Sequence, residues 1–169
     1  VFFLFEGRSF TMDHDTFKNP PPWHLIDLFW DFEGEHKFES VAIDVVVLDP
    51  VPNDSLLYIS PINIDLSGQP MYCGFQTATG GYVSTEKNSA WKDLGRAGIF
   101  SRWDCKGKPK NYVRFEPDGA TEIGDYEGDF VSCRRPFPWT TGLFTCELRV
   151  VAIEKDCCWV AFSINGTCI

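Results

Sequence analysis

The chain is short of basic residues, with 15 lysines and arginines against 24 aspartates and glutamates and a formal net charge of −9. A protein that tracks nucleic-acid phosphates needs a basic surface, so that function class is excluded, and anionic lipid is disfavoured for the same reason. Histidine is also scarce. His14, His24 and His36 lie far in sequence from every cysteine, and no Cys-x-x-Cys occurs, so zinc-type ligand spacing is missing. There is no Gly-x-Ser-x-Gly elbow and no glycine-rich phosphate loop. Long hydrophobic runs are absent too. Val1-Phe2-Phe3-Leu4-Phe5 ends at Glu6, too short for a signal core and far too short to span a bilayer, so membrane insertion is not expected. A processed secreted chain, or a domain cut from a longer one, would start in this way. With no internal repeat, low-complexity tract or linker, residues 1–169 are expected to form one domain.

What the chain does have is cysteine. Cys73, Cys105, Cys133, Cys146, Cys157, Cys158 and Cys168 are spaced irregularly, a pattern expected of disulfides in an oxidising compartment. Their odd number leaves at least one thiol for burial or for a link to another chain. Two N-glycosylation sequons, Asn53-Asp54-Ser55 and Asn165-Gly166-Thr167, point to the same extracellular location.

Aromatic residues make up 15% of the chain, and short apolar runs alternate with Gly, Pro, Asn and Asp. This pattern predicts an all-β fold, a two-sheet antiparallel β-sandwich of jelly-roll type. Strands are expected at Phe2 to Ser9, Val41 to Leu48, Leu56 to Ser60, Met71 to Thr77, Gly98 to Asp104, Tyr112 to Phe115, Leu143 to Ile153 and Cys157 to Ile164. Trp23 to Phe32 fits a strand or a short helix.

The last two strands form a hairpin about Lys155. Alternation sends Phe144, Cys146, Leu148, Val150 and Ala152 inward from one strand, and Cys158, Val160, Phe162 and Ile164 from the other. Cys146 then faces Ile164 and Cys158 faces Ala152, a separation of roughly 20 Å that rules out a Cys146–Cys158 bridge. Adjacent Cys157 and Cys158 point to opposite faces. The favoured pairings are Cys105 with Cys133, Cys73 with Cys146 or Cys158, and Cys157 with Cys168 or with another chain.

Four segments carry a family resemblance: Tyr72-Cys73-Gly74-Phe75-Gln76, Gly98-Ile99-Phe100-Ser101-Arg102-Trp103-Asp104, Tyr126-Glu127-Gly128-Asp129-Phe130 and Phe137-Pro138-Trp139-Thr140-Thr141-Gly142. In this order they resemble a family of extracellular domains of unknown function that are often attached to carbohydrate-associated modules. The resemblance runs from Tyr72 to Ile164. It departs at Phe130, where the family has a second glycine, and the N-terminal segment has no counterpart. It implies a concanavalin-like, lectin-like sandwich and a glycan-related role, and supplies no catalytic residue.

Sugars present apolar CH faces to aromatic rings and hydroxyls to carboxylates and amides, so a lectin site wants Trp or Tyr beside polar side chains. Trp139, in a Pro-rich turn, and Trp91, in a polar stretch, are the candidate platforms, with Tyr82, Gln76 and Asp104 as polar contacts. Trp159 is expected on an outer face and Trp103 in the core. Asp118, Glu122, Asp125, Glu127 and Asp129 fall among three glycines and could wrap a calcium ion, although the spacing is not that of an EF-hand. A solvated acidic loop is the favoured reading of these residues, and Asp13-His14-Asp15 is a smaller instance.

Glu122-Ile123-Gly124-Asp125-Tyr126-Glu127 also resembles the paired-glutamate strand of retaining β-glucanases, but Gly124 breaks the alternation that would put both glutamates on one face. The leading expectation is thus a secreted, non-catalytic glycan binder. The other is a structural subunit that meets another extracellular protein or its own copies, through a disulfide or by adding the Val1-Phe5 strand to a neighbour's sheet.

Overall fold

Side-chain alternation sets the first of two sheets. The computed structural model of the chain describes residues 37–86, 88–105, 113–124, 128–155 and 157–169. The segments expected at Phe2 to Ser9 and Trp23 to Phe32, the Asp13-His14-Asp15 cluster, and the candidate ligands Asp125 and Glu127 lie outside these residues. Strand β1 (Ser40–Val47) pairs with β7 (Gly142–Ile153), β7 with β8 (Cys158–Ile164), and β8 with the short β9 (Thr167–Cys168), all antiparallel. In β7 the inward residues Phe144, Cys146 and Leu148 are buried, while Leu143, Thr145 and Arg149 face solvent.

Cys146 faces Ile164, as the hairpin geometry requires, but a bulge between Val150 and Ala152 shifts the register beyond it. Cys158 therefore faces Ile153 instead of Ala152 and is exposed, not a core residue.

The second sheet contains β2 (Tyr58–Asp65), β3 (Pro70–Tyr82), β4 (Trp91–Trp103), β5 (Ala120–Gly124) and β6 (Phe130–Pro136), in the spatial order β2-β3-β4-β6-β5. Its strands differ from expectation in several places. β3 and β4 run much longer than their apolar cores, because their pairing with each other carries them through Gly80, Gly81 and Gly95. β5 and β6 arise in and beside the stretch that reads as an acidic loop. Residues 113–115 form no strand.

Ile62, Cys73 and Phe75 from this sheet meet Phe144, Cys146, Leu148, Phe162 and Ile164 from the other, with Trp139 and Ile169 completing one core. Each large apolar side chain enclosed there contributes about 1.5–3 kcal/mol. The described residues thus form the expected all-β, two-sheet antiparallel sandwich, with no α-helix among them.

The five-stranded sheet is strongly curled. Phe100 faces the core shared with the other sheet, so its neighbours Ile99 and Ser101 face the opposite way, yet both are buried. Ala97 in β4 and Ala120 in β5 belong to one small cluster with Leu94 although β6 lies between their strands, and only a tight curl brings them together. Gly95, at φ +60°, permits the bend at a bulge in the β3–β4 ladder. The curl closes where Tyr82 of β3 pairs with Thr121 of β5.

Arg134 fastens this closure. It is ion-paired with Glu122 of β5, donates through Nη1 to the main-chain oxygen of Gly80 in β3, and donates through Nε to Ser132 Oγ at 3.1 Å. Both members of the pair are largely shielded from water. Arg134→Met leaves Glu122 and the Gly80 carbonyl without their partner and should cost about 2–4 kcal/mol in chemical denaturation, more than Glu122→Gln. Equal stability of Arg134→Met and the parent chain would show that the closure does not depend on this side chain.

No disulfide joins Cys73, Cys105, Cys133, Cys146, Cys158 or Cys168. Cys133 pairs in register with Phe100, which puts Cys105 five residues farther along, roughly 17 Å away and beyond bridging distance. Cys168 faces Ser163, five residues from Cys158 along β8, which separates it from Cys157 as well. Cys73 and Cys146 are both fully enclosed in the core as thiols.

Burial pushes the Cys133 and Cys146 thiols up to about 12, with Cys168 adding to the effect at the first and Asp44 at the second. A raised folded-state value means the native chain keeps protons that the unfolded chain releases. Under reducing conditions, stability should therefore hold in full up to about pH 9 and fall progressively from there toward pH 12. Thermal melts across this range check it, and a melting point unchanged to pH 11 would contradict it.

Candidate functional site

The β3–β4 hairpin ends in two aromatic residues that face each other. Tyr82 and Trp91 are directly paired across the strands, with ring centroids 5.1 Å apart and planes at 83°. They are 41% and 55% exposed, so each offers ring surface to solvent. Such a perpendicular pair holds both rings at low entropic cost. Trp91 also lies across the backbone of Gly80, where a Cβ would overlap the indole. Gly81 is confined differently, since a Cβ there would lie 2.9 Å from Ala120 Cβ and 3.0 Å from the Thr121 oxygen.

Beside Tyr82 opens a depression of about 420 Å³, lined by Tyr82, Ser84, Glu86, Asn88, Thr121 and Ile123 together with Thr85 and Ser89. Its loop wall is built by its own polar groups. Ser84 N donates to Ser89 Oγ at 2.9 Å, Glu86 N to Ser84 Oγ at 3.2 Å, and Val83 N to the Ala90 oxygen at 3.0 Å. Asn88 takes the left-handed conformation, φ +66°, that the turn needs. The floor comes from β5, whose Thr121 donates its hydroxyl to the Ser132 oxygen at 2.7 Å. The volume is within the usual range for a small ligand. Hydroxyls, one amide and an exposed ring suit a neutral polyhydroxylated ligand better than an anion. Glu86 is the single carboxylate among the described lining residues.

The other sugar-contact candidates do not join this pair. Trp139 is 1% exposed, so it is a core residue instead of a platform. Its Nε1 donates to the Gln76 main-chain oxygen at 3.0 Å, its ring meets Phe75 edge-on, and the Arg96 guanidinium stacks over it at 4.4 Å. Gln76 is part-buried near the middle of β3, and its side-chain oxygen accepts from Thr79. Asp104 follows the far end of β4, roughly 40 Å along the strand from Trp91. Trp159 is half-buried under Arg114, with Nε1 donating to Glu154 at 3.0 Å. Trp103 is likewise half-buried, against Tyr72 and Phe130 on the face turned away from the main core.

The described carboxylates of the acidic segment have partners of their own. Asp118 is ion-paired with Arg135 at 2.9 Å and Glu122 with Arg134, while the Asp129 main-chain oxygen accepts from Cys105 N at 3.3 Å. Among the described residues, no group of three or more His, Cys, Asp or Glu side chains could hold a metal ion. The arginines sit on β6, 12 residues along the chain from Glu122 and 17 from Asp118, and nothing local in the sequence announces the pairing.

Both sequon asparagines are exposed. Asn53 begins a 3-10 turn and accepts from Arg96 Nε at 2.8 Å. Asn165 turns the chain between β8 and β9 and accepts from Thr145 N at 2.8 Å.

Sequence reasoning did not single out Ser84, Glu86, Asn88, Ser89 and Thr121. The Ser, Thr and Asn content of residues 84–89 is the available signal, because it marks a loop rich in hydroxyl and amide groups. No family model, curated protein or solved structure matches this chain. Among the described residues, no helix is long and apolar enough to cross a membrane.

The two glycines separate site geometry from stability. Gly80→Ala should displace the exposed Trp91 ring, weakening the near-ultraviolet dichroism of the Tyr82–Trp91 pair at a cost under about 1 kcal/mol. Gly81→Ala pushes against strand backbone and should cost about 1–3 kcal/mol. The reverse order of stabilities would mean that Trp91 is fixed in place and the β3–β5 contact is loose.

Proposed function

We propose that the chain is a secreted, non-catalytic carbohydrate-binding module of concanavalin-like sandwich type, with neutral sugars held at the Tyr82–Trp91 end of the β3–β4 hairpin. One observation carries the reading: two exposed rings stand perpendicular beside a depression lined with hydroxyl and amide groups. A sugar's CH face stacks on the Trp91 indole, while Asn88, Ser84 and Glu86 meet its hydroxyls. The net charge of −9 favours neutral over anionic glycans. The resemblance over Tyr72 to Ile164 and the strongly curved five-stranded sheet support the fold type. The exposed positions of Asn53 and Asn165 support glycosylation during secretion.

A second reading, association of subunits, rests on a different surface. The outer face of the four-stranded sheet exposes Val46 opposite Leu143, together with Leu48, Val151 and Ile153. An apolar face of this kind suits a protein partner or a second copy.

A glycan array run alongside native mass spectrometry distinguishes the two. The lectin reading expects a monomer retained by at least one neutral glycan. Trp91→Ala should bind it about tenfold or more weakly, the equivalent of roughly 1.4 kcal/mol, with an unchanged melting point. Trp159→Ala, on the other sheet, should bind as the parent does. No retention on any glycan, with or without calcium, would overturn this reading, and a stable assembly lost on Leu143→Asp would favour the second.

A further inference from the structure

Residues 167–169 are held by both sheets. β9 pairs with β8, and its Cys168 main-chain oxygen accepts from Arg135 Nη1 at 2.7 Å. Ile169 N donates to the Phe162 oxygen at 2.9 Å, and the Ile169 side chain is buried against Gly98. Cys133 lies two residues before Arg135 on β6, so both side chains emerge on the same side of the strand.

Cys133 Sγ lies 3.8 Å from the Ile169 main-chain oxygen, and Cys168 Sγ lies 3.9 Å from the same oxygen. Sharing one neighbour, the two sulfurs are at most about 8 Å apart, and a bridge requires the side chains to close that gap to about 2 Å. One of them is buried in the five-stranded sheet, and the other is exposed at the end of the four-stranded sheet.

We propose that Cys133 and Cys168 form an intramolecular disulfide in the presence of a low-molecular-weight disulfide such as oxidised glutathione, stapling the two sheets together. Cys168 is the accessible thiol and reacts first. Its thiolate attacks one sulfur of the oxidant, the oxidant's S–S bond breaks, and one reduced thiol leaves. Cys133 then gives its proton to solvent and attacks the Cys168 sulfur, which breaks the mixed disulfide and releases the second reduced thiol. Two protein thiols are oxidised by two electrons, and one oxidant disulfide becomes two thiols.

Burial keeps Cys133 protonated, so the buried sulfur is the resolving one and not the first to react. The competing partners are placed differently. Cys73 and Cys146 are fully enclosed, Cys105 lies beyond the end of β4, and Cys158 is five residues away along β8. The inference stands apart from the glycan reading, since no residue of the Tyr82–Trp91 site takes part.

The reduced full chain, incubated in glutathione buffers of stepped ratio, trapped with N-ethylmaleimide and mapped by peptide mass spectrometry, tests the assignment. A peptide linking Cys133 to Cys168 should accumulate with oxidant, and the oxidised chain should melt roughly 5–10 °C higher than the reduced one. Cys168→Ser, at an exposed position, should lose both effects, while Cys157→Ser should keep both. Two free thiols at Cys133 and Cys168 in the most oxidising buffer, or Cys168 found joined to Cys157, to Cys158 or to a second chain, would overturn the proposal.

Discussion

Arg134 reaches from β6 to a carboxylate on β5 and a main-chain oxygen on β3, and the shape of the five-stranded sheet depends on that reach. A flat sheet would leave β5 at an open edge, with two strands between it and β3. With the guanidinium holding Glu122 and Gly80 together, β5 comes back beside β3 and Tyr82 pairs with Thr121. That contact gives the candidate site its floor. Hydrogen bonds to a charged donor are the stronger kind, and the partial burial of this pair makes either partner costly to leave alone. The small residues around it are required by the same geometry. Gly81 lets the backbone of β3 approach Ala120, and Gly80 leaves room for the Trp91 ring.

The parts of this fold set by local alternation could be read from the sequence. β1, β7 and β8 each bury one face against a single core, so period-2 patterning places them to within a residue or two. β5 and β6 could not be read in that way, because the curled sheet buries both of its faces and the alternation disappears. Ser132 and Thr121 are enclosed polar residues outside every strand that the alternation predicts. The register slip that expels Cys158 has the same character, since the bulge at Val151 adds one residue that composition does not mark. Asn165–Gly166 serves as the turn between β8 and β9, a role its sequence suits as well as it suits a sequon.

The candidate site was legible in part. Tyr82 and Trp91 stand out as aromatics in polar company, and the hairpin makes them partners. Trp139 shares the same description and is buried, because its neighbours Phe75, Gln76 and Arg96 come from distant strands and enclose it from three sides. The acidic segment shows the same limit. Asp118 and Glu122 look like ligands when read along the chain, but the arginines that neutralise them lie on β6. Whether a side chain is available to a ligand is decided by which long-range neighbour claims it first.

The account's central claim is that ligand binding is localised to the end of the β3–β4 hairpin. Titrating isotopically labelled protein with a neutral oligosaccharide, and following backbone amide shifts by two-dimensional NMR, measures this directly. The account predicts perturbations concentrated at residues 82–91 and 121–123, absent in Trp91→Ala. Shifts centred on Tyr72, Trp103 and Phe130, or on the outer face of the four-stranded sheet, would contradict it.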